Sequence, residues 1–252
     1  MDTGMVAMAN ISDSVNPFNI KRHEIHLWRL DMRQLDQESI ENTAGALCTA
    51  AELARAQRFV RGRLEHLATR ILLRRVLANY LGQSPSALEF AQHPKGKPYL
   101  ADTNILFNLS HSAQEALLGV SHGLNIGVDI EQNKSRLNAL ELATHFFADH
   151  ETHWLQRLEP EDQERQFYRL WTLKEAMLKA LGTGIASGLD NISFQLDQGA
   201  IIFSTTLPLD TSNWQFFQWQ LDSGTQAALA VESPAPLQIL WRNAQGLLEE
   251  SA

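Results

Sequence analysis

Two apolar stretches of small residues, Ala-Leu-Leu-Gly-Val-Ser at 116–121 and Ala-Ala-Leu-Ala-Val-Glu at 227–232, close two passages that follow the same order. Each passage begins with a long helical pattern that stops at a glycine, Gly82 in the first passage and Gly182 in the second. A glycine directly after the last periodic residue is a typical helix stop. Short stretches with strand-like alternation follow each helix. The pattern predicts an α+β fold of two similar subdomains, a duplicated unit with the ligand cleft and the active site between the halves.

The individual elements follow from the spacing of the apolar residues. Helices are predicted at residues 64–81, 140–158 and 166–181. Strands are predicted at residues 88–92, 105–109, 116–121, 125–131, 192–196, 201–204, 214–221 and 226–232. The turn residues His122-Gly123-Leu124 predict a hairpin between the strands at 116–121 and 125–131. We expect a disordered lead-in at 1–20, an N-terminal subdomain at 21–124, and a connection plus C-terminal subdomain at 125–252.

Composition and charge limit the classes of protein to which this chain can belong. The 252 residues carry a formal net charge of −8, which argues against general affinity for nucleic acid. The only cysteine is Cys48, so no intramolecular disulfide can form and a reducing compartment fits best. The sequence shows neither a signal peptide nor an apolar run of the ~20 residues that a membrane span needs. We expect a soluble, cytoplasmic protein with no membrane or nucleic-acid partner.

The segment Asn-Ile-Gly-Val-Asp-Ile-Glu at 125–131 carries two carboxylates on one face of a predicted strand. Side chains alternate along a strand, so Gly127, Asp129 and Glu131 share that face. At ~3.3 Å per residue the two carboxylates lie roughly 7 Å apart, and both can reach one hard cation such as Mg²⁺. Gly127 would leave room there for a bulky ligand. The ordinary alternative is an amphipathic strand with a solvated acidic face.

A second candidate segment is the predicted helix Trp-Thr-Leu-Lys-Glu-Ala-Met-Leu-Lys at 171–179. Lys174 falls inside the apolar stripe of this helix, where a charge is costly unless it pairs or reaches solvent. Glu175 borders the stripe, and Lys179 lies four residues further on, within pairing distance. One interpretation has Lys174 contacting a phosphate while Glu175 supplies a third carboxylate to the metal. The other is a lysine whose head reaches solvent, beside an ordinary surface Glu–Lys pair.

Three further segments suit phosphate groups. Residues 108–112, Asn-Leu-Ser-His-Ser, end a predicted strand with hydroxyl and imidazole donors. Residues 94–98, Pro-Lys-Gly-Lys-Pro, present two ammonium groups on a stiff loop. An early stretch opposed only by Glu65 is rich in arginine: Arg55, Arg58, Arg61, Arg63, Arg70, Arg74 and Arg75. A local anion site and a solvated helix face are both compatible with that stretch.

Together and in this order, the segments resemble the motifs of the Sfp-type 4′-phosphopantetheinyl transferases. The family pattern runs Gly-Lys-Pro, Asn-x-Ser-His-Ser, Gly-(Val/Ile)-Asp-x-Glu and Trp-(Ser/Thr)-x-Lys-Glu-x-x-x-Lys. Here it stands at residues 96–98, 108–112, 127–131 and 171–179. The resemblance extends from about Arg55 to about Val231. It implies transfer of 4′-phosphopantetheine from coenzyme A to a serine of an apo acyl or peptidyl carrier protein, giving holo-carrier protein and 3′,5′-adenosine diphosphate.

The resemblance also implies roles for individual residues. The Mg²⁺ ligands would be Asp129, Glu131 and Glu175. The coenzyme A ligands would be Lys174, Lys179, Ser110 and His111 at the diphosphate, Lys97 at the nucleotide part, and Arg55 and Arg58 at the 3′-phosphate. The base that takes the serine proton would be Glu151, in the segment Phe-Phe-Ala-Asp-His-Glu at 146–151, or a metal-bound water. The residues expected in catalysis are thus Glu151, Lys179 and Glu175.

The remaining implications concern assembly and specificity. Shorter relatives have one α+β half per chain and form trimers, so two halves in one chain imply a monomer. The segment after Phe59 departs from the family pattern, and Arg61 and Arg63 therefore receive no role. The carrier (fatty-acid, polyketide or nonribosomal-peptide) and the acceptance of acyl-coenzyme A are open. Two other functions compete: an inactive coenzyme A-binding interaction module, and an Mg²⁺-dependent phosphohydrolase.

Overall fold

The structure is a computed structural model of the chain, and it describes residues 16–133, 138–184, 188–197 and 199–249. Its helices are α1 Gln37–Leu47, α2 Ala50–Ala56, α3 Arg63–Leu81, α4 Ala139–Phe146, α5 Asp149–Gln156, α6 Pro160–Leu181 and α7 Gln245–Glu249. Its strands are β1 Glu24–Asp31, β2 Phe90–Gln92, β3 Pro98–Leu100, β4 Ile105–Ser112, β5 Glu115–His122, β6 Ile126–Gln132, β7 Ile192–Asp197, β8 Ala200–Thr205, β9 Trp214–Gln220, β10 Thr225–Glu232 and β11 Gln238–Asn243. The mixed α+β class predicted from the sequence is confirmed.

Contacts within the chain divide it into two compact units. Unit 1 has the bounds Met1–Ala91, Pro98–Gly123 and Leu237–Ala252, and unit 2 has the bounds Gln92–Lys97 and Leu124–Pro236. The sheet of unit 1 has the order β11-β1-β5-β4, in which β1 pairs parallel with β11 and antiparallel with β5. The sheet of unit 2 has the order β6-β10-β9 and is antiparallel. Each unit buries its own apolar core.

The two units share one order of elements. In the first passage, β1 leads through helices to α3, a 3₁₀ turn at Pro85–Ala87, the hairpin β2–β3, whose turn at Gln92–Lys97 belongs to unit 2, and then β4 and β5. In unit 2, β6 leads through helices to α6, a 3₁₀ turn at Leu189–Asn191, the hairpin β7–β8, and then β9 and β10. In both sheets the first strand pairs with the last, and the last pairs with the one before it. The predicted duplication of one α+β unit is confirmed by this topology.

The long helices end where their sequences predict. Gly82 caps α3 with φ 61° and Gly182 caps α6 with φ 69°, both in the left-handed region that glycine adopts without strain. The predicted helix at 140–158, however, is two helices. Phe147 is extended at the end of α4, and Ala148 is extended before α5. The carboxylate of Glu151 accepts a hydrogen bond from the Ala148 amide, which compensates the start of α5.

The hairpin predicted at His122-Gly123-Leu124 is wrong. Strand β5 pairs with β1 and β4, whereas β6 pairs with β10. The chain passes from unit 1 to unit 2 at Gly123, so the local turn signal marks a change of sheet. The predicted lead-in at 1–20 falls largely outside the described residues; of its described residues, Phe18 stacks on Trp28 with ring centroids 5.0 Å apart. No helix in the described part of the chain combines the length and apolarity that crossing a bilayer requires.

Candidate functional site

Unit 2 places three predicted carboxylates near one another where α6 packs on β6. Asp129 and Glu131 lie two residues apart on the same face of β6, as the sequence predicts. Glu175 comes from α6, which packs across that face. The same face includes Gly127, where an added Cβ would lie 2.0 Å from the carbonyl oxygen of Ala176. Gly127 therefore makes room for the backbone of α6, and the interpretation that it leaves space for a ligand is wrong.

The close approach of helix and strand concentrates charge. Asp129 and Glu175 are buried, and Lys179 Nζ donates to Asp129 Oδ1 at 2.6 Å. Burial is the main reason why the pKa of Glu175 rises from 4.5 to about 7. The negative charges of Asp129 and Glu131 push that pKa in the same direction, and the Lys179 ammonium opposes them. Glu175 Oε1 is buried and has no hydrogen-bond partner among the described residues.

The donor chemistry of this cluster suits a hard cation, because carboxylate oxygens are the ligands that Mg²⁺ takes from proteins. Within the described residues, no three acidic, histidine or cysteine side chains converge at metal-binding separations. The Lys179 ammonium supplies the positive charge beside Asp129. The buried Oε1 of Glu175, which has no hydrogen-bond partner among the described residues, is an oxygen that can ligate a cation. The residue set therefore fits Mg²⁺, with adjustment of the side chains.

Lys174 and Glu151 lie in a different part of unit 2, as a buried ion pair. Lys174 Nζ is 2.6 Å from Glu151 Oε2, and the two side chains are 0% and 1% exposed. The ammonium also donates to the carbonyl oxygens of Leu189, at 2.8 Å, and Ile192. Burial lowers the pKa of Lys174, and the Glu151 carboxylate opposes that shift. The resemblance implies that Lys174 contacts a phosphate and that Glu151 takes the serine proton. In the structure both side chains are held inside unit 2.

Lys97 contacts α6 near its C-terminal end. Its ammonium donates at 3.0 Å to the carbonyl oxygens of Ile126 and Ala180. Burial lowers the pKa of Lys97 to about 8. The lysine therefore joins the 92–97 loop to the first residue of β6 and to the last turn of α6.

The arginine-rich stretch of unit 1 divides into two groups. Arg55 and Arg58, with Ala51 and Phe59, line an open depression of about 500 Å³. The other group is structural in unit 1: Arg63 pairs with Glu41, Arg74 pairs with Glu52, and Arg75 donates to the carbonyl of Leu247. The sequence could not separate the two groups, since all of these arginines share one run of helical spacing.

Two residues without an earlier role extend the basic group around Arg55. His66 on α3 stacks on Phe59 with ring centroids 4.7 Å apart, and its Nε2 is buried without a hydrogen-bond partner among the described residues. Burial lowers the pKa of His66 to about 4, and the positive charges of Arg70 and Arg55 act in the same direction. Arg70, one turn along α3, also has a buried Nε that lacks a described partner. The i, i+4 spacing of these residues was the available signal.

Ser110 and His111 are neighbours on β4, so their side chains alternate between opposite faces of the unit 1 sheet. Ser110 is buried and His111 is exposed. His111 lies close enough to His66 to contribute to the lowering of its pKa, which brings His111 toward the basic group. The structure thus places His111 near His66, whereas the side chain of Ser110 lies on the opposite face of the sheet.

The chain matches two family models: the 4′-phosphopantetheinyl transferase superfamily at residues 125–232, and the 4′-phosphopantetheinyl transferase N-terminal region at residues 37–122. The 4′-phosphopantetheinyl transferase HetI of Nostoc sp. is 36% identical over 214 residues, which cover 82% of this chain and 87% of HetI. The 4′-phosphopantetheinyl transferase Sfp of Bacillus subtilis is 30% identical over 165 residues, covering 65% and 72%. A solved holo-[acyl-carrier-protein] synthase of Thermotoga maritima aligns with 44% of this chain and 64% of its own at 19% identity and a TM-score of 0.37, too weak a likeness to decide the fold.

Proposed function

This chain belongs to the 4′-phosphopantetheinyl transferases, and on that premise we propose that it transfers 4′-phosphopantetheine from coenzyme A to a serine of an apo acyl or peptidyl carrier protein. The other product is 3′,5′-adenosine diphosphate. The observation that carries the proposal is the carboxylate cluster of β6 and α6, with Lys179 beside it. The comparisons lend no support to an inactive binding module or to a phosphohydrolase.

We propose Mg²⁺ as the cofactor, held by Asp129, Glu131 and Glu175. The support is the Oε1 of Glu175, which has no hydrogen-bond partner among the described residues, and the rise of the Glu175 pKa to about 7; a bound cation would relieve both. When bound, the ion supplies positive charge against the diphosphate of coenzyme A. Lys179, which is 27% exposed, can reach the same diphosphate by exchanging its bond to Asp129 for one to a phosphate oxygen.

For the 3′-phosphate of coenzyme A we propose Arg55 and Arg58, because both line the open depression of unit 1. Arg70 and His66 add buried nitrogens without described partners next to that group. His111 is an exposed imidazole close to His66, which favours it over the buried Ser110 as a phosphate contact. The prediction that Lys97 and Lys174 bind coenzyme A is untested, and the proposal leaves both lysines out because carbonyl oxygens of unit 2 engage each ammonium.

In the reaction, the serine oxygen attacks the phosphorus that carries the pantetheine arm. The bond from that phosphorus to the bridging oxygen breaks, and the oxygen leaves with the adenosine part. Negative charge grows on the leaving phosphate, and the Lys179 ammonium stabilises it there. The serine proton needs an acceptor, and the two oxygens of Glu151 already accept hydrogen bonds inside unit 2, which argues against Glu151 in that role.

The setting of the reaction is part of the proposal. Two α+β units in one chain support a monomer, and the single cysteine supports the reducing conditions of a cytoplasm. The net charge of −8 supports a partner other than nucleic acid. The carrier protein can come from fatty-acid, polyketide or nonribosomal-peptide synthesis.

The direct test is the intact mass of apo-carrier proteins from each class after incubation with this chain, coenzyme A and Mg²⁺. We expect one phosphopantetheine on one serine, with no addition when the metal is chelated or when that serine is alanine. If no carrier of any class gains the group, the proposed function fails. Release of adenosine diphosphate in the absence of every carrier would instead support the phosphohydrolase.

A further inference from the structure

The buried pair of Glu151 and Lys174 has all of its polar groups satisfied. Glu151 Oε1 accepts from the Phe194 amide at 2.8 Å, and Oε2 accepts from the Ala148 amide at 3.1 Å as well as from Lys174. An ammonium has three donors, and those of Lys174 go to Glu151 and to the carbonyl oxygens of Leu189 and Ile192. A fully connected polar network of this kind rigidifies the groups that it joins.

The network ties together three separate segments of unit 2: the start of α5, the middle of α6, and the continuous stretch formed by the 3₁₀ turn at Leu189–Asn191 and β7. Glu151 holds the start of α5 and the third residue of β7, and Lys174 holds the middle of α6 and the 3₁₀ turn at Leu189–Asn191. The Lys174 ammonium also lies 4.8 Å from the centroid of the Phe147 ring, in the segment that separates α4 from α5. The Glu151 carboxylate thus links the middle of α6 to the start of α5 and to β7.

Helix α6 carries two of the groups that the transfer reaction uses. Glu175 directly follows Lys174, and Lys179 lies four residues beyond Glu175 on the same face. That face meets β6, where the ammonium of Lys179 contacts Asp129. A shift or rotation of α6 at Lys174 would therefore move Glu175 and Lys179 away from the carboxylates of β6.

We propose that Glu151 is a positioning residue for phosphopantetheine transfer, which through Lys174 holds α6 in the orientation that brings Glu175 and Lys179 to Asp129. The proposal rests on the proposed function and assigns Glu151 a role other than the general base. A base must come within hydrogen-bond reach of the proton that it takes. Glu151 is 1% exposed and would first have to surrender one of its three bonds inside unit 2.

The test is a double-mutant cycle of Glu151→Gln, Lys174→Met and the double variant. The isosteric control is Glu89→Gln, at an exposed position. Transfer is measured as steady-state kcat at saturating coenzyme A and carrier, at a temperature below the unfolding midpoint of each variant. Glu151→Gln leaves a buried ammonium facing an amide, and a displacement of α6 by about 1 Å is expected to lower kcat roughly 10²-fold. The double variant removes the ammonium as well, and its kcat should return to within about tenfold of wild type.

The outcomes separate the two roles. If Glu151 is the base, the double variant stays as slow as Glu151→Gln, because neither has the carboxylate; that result, even with recovered thermal stability, overturns the proposal. Wild-type rates for Glu151→Gln overturn it as well.

A second measurement needs only the single variant: the pH profile of kcat for Glu151→Gln should keep the acidic limb of the wild type, and its disappearance would identify a base. If wild-type protein modifies no carrier, the proposed function fails, while non-additive unfolding midpoints still test the link between Glu151 and Lys174.

Discussion

Replacing Gly127 by alanine should disable the carboxylate cluster from a position that contacts no substrate. The added Cβ would lie 2.0 Å from the carbonyl oxygen of Ala176 and 2.4 Å from the amide nitrogen of Ala180. Close carbon–oxygen contacts in proteins are about 3.3 Å or longer, so α6 must withdraw from β6 by roughly 1 Å or more. Neither neighbour can rotate away, because both atoms belong to the helix backbone.

The size of the effect follows from that displacement. Overpacking of a dense core costs about 1–3 kcal/mol, which corresponds to a fall of roughly 2–10 °C in the unfolding temperature for a chain of this length. Helix α6 carries Glu175 and Lys179, and misplacing reacting groups by about 1 Å costs on the order of 10²-fold in rate. We therefore expect a loss of transfer activity much larger than the loss of folded protein.

Transfer is measured by intact mass of a carrier, beside thermal unfolding and calorimetric binding of coenzyme A with and without Mg²⁺. Gly45→Ala is the matched control: Gly45 lies within α1, is exposed, and has no atom within 4 Å of a Cβ added there. Alanine should stabilise that helix by about 0.5–1 kcal/mol and leave transfer unchanged. If Gly127→Ala transfers as fast as wild type, the contact between α6 and β6 does not control the site.

Three further predictions concern the metal, the 3′-phosphate and pH. Asp129→Ala should abolish the tightening of coenzyme A binding by Mg²⁺ in calorimetry, whereas Asp197→Ala, at an exposed position, should keep it. Arg58→Ala should weaken coenzyme A about ten- to a hundredfold and 3′-dephospho-coenzyme A far less, with Arg22→Ala as the exposed control; equal weakening of both ligands would make Arg58 structural. Burial lowers the pKa of His26 from 6.5 to about 4 in the folded protein, so between these pH values the unfolded chain binds a proton that the folded protein does not. The folded protein therefore loses stability as pH falls through that interval. Unfolding midpoints for His26→Gln should accordingly fall less on acidification than those of wild type.

The secondary structure followed from local periodicity wherever one face of an element is apolar and its end is marked. The patterns before Gly82 and Gly182 predicted α3 and α6, and the alternation at 125–131 predicted β6. The prediction of one helix at 140–158 failed at Phe147, because the apolar spacing continues through a point where the helix is interrupted. The Glu151 carboxylate stabilises this interruption and also accepts a hydrogen bond from Phe194, in a strand 43 residues further along the chain. Local periodicity carries no information about such a contact.

For the candidate site, residue types and spacing at 127–131 and 171–179 left an acidic surface and a metal site both open. The resemblance to the family motifs predicted three carboxylates and Lys179 in one place. The sequence did not indicate that Lys174 pairs with Glu151, because a lysine in an apolar stripe fits a phosphate contact and a buried ion pair equally well. It also did not separate Arg58, which lines a depression, from Arg74, which pairs with Glu52. These distinctions depend on which surface each helix face meets.

The sequence by itself determined the class of fold, the repeated order of elements, the family, and the side of β6 that carries Gly127, Asp129 and Glu131. The fold class, the order of elements and the side of β6 follow from alternation and helical spacing, which a single segment contains in full. The family follows from the resemblance of the motifs at 96–98, 108–112, 127–131 and 171–179. The tertiary structure decided that this side is covered by α6, that β11 pairs with β1, and that the turn at Gly123 separates two sheets. The physical reason is that an apolar face indicates only that the face is buried. Which segment buries it depends on close packing between segments far apart in the chain.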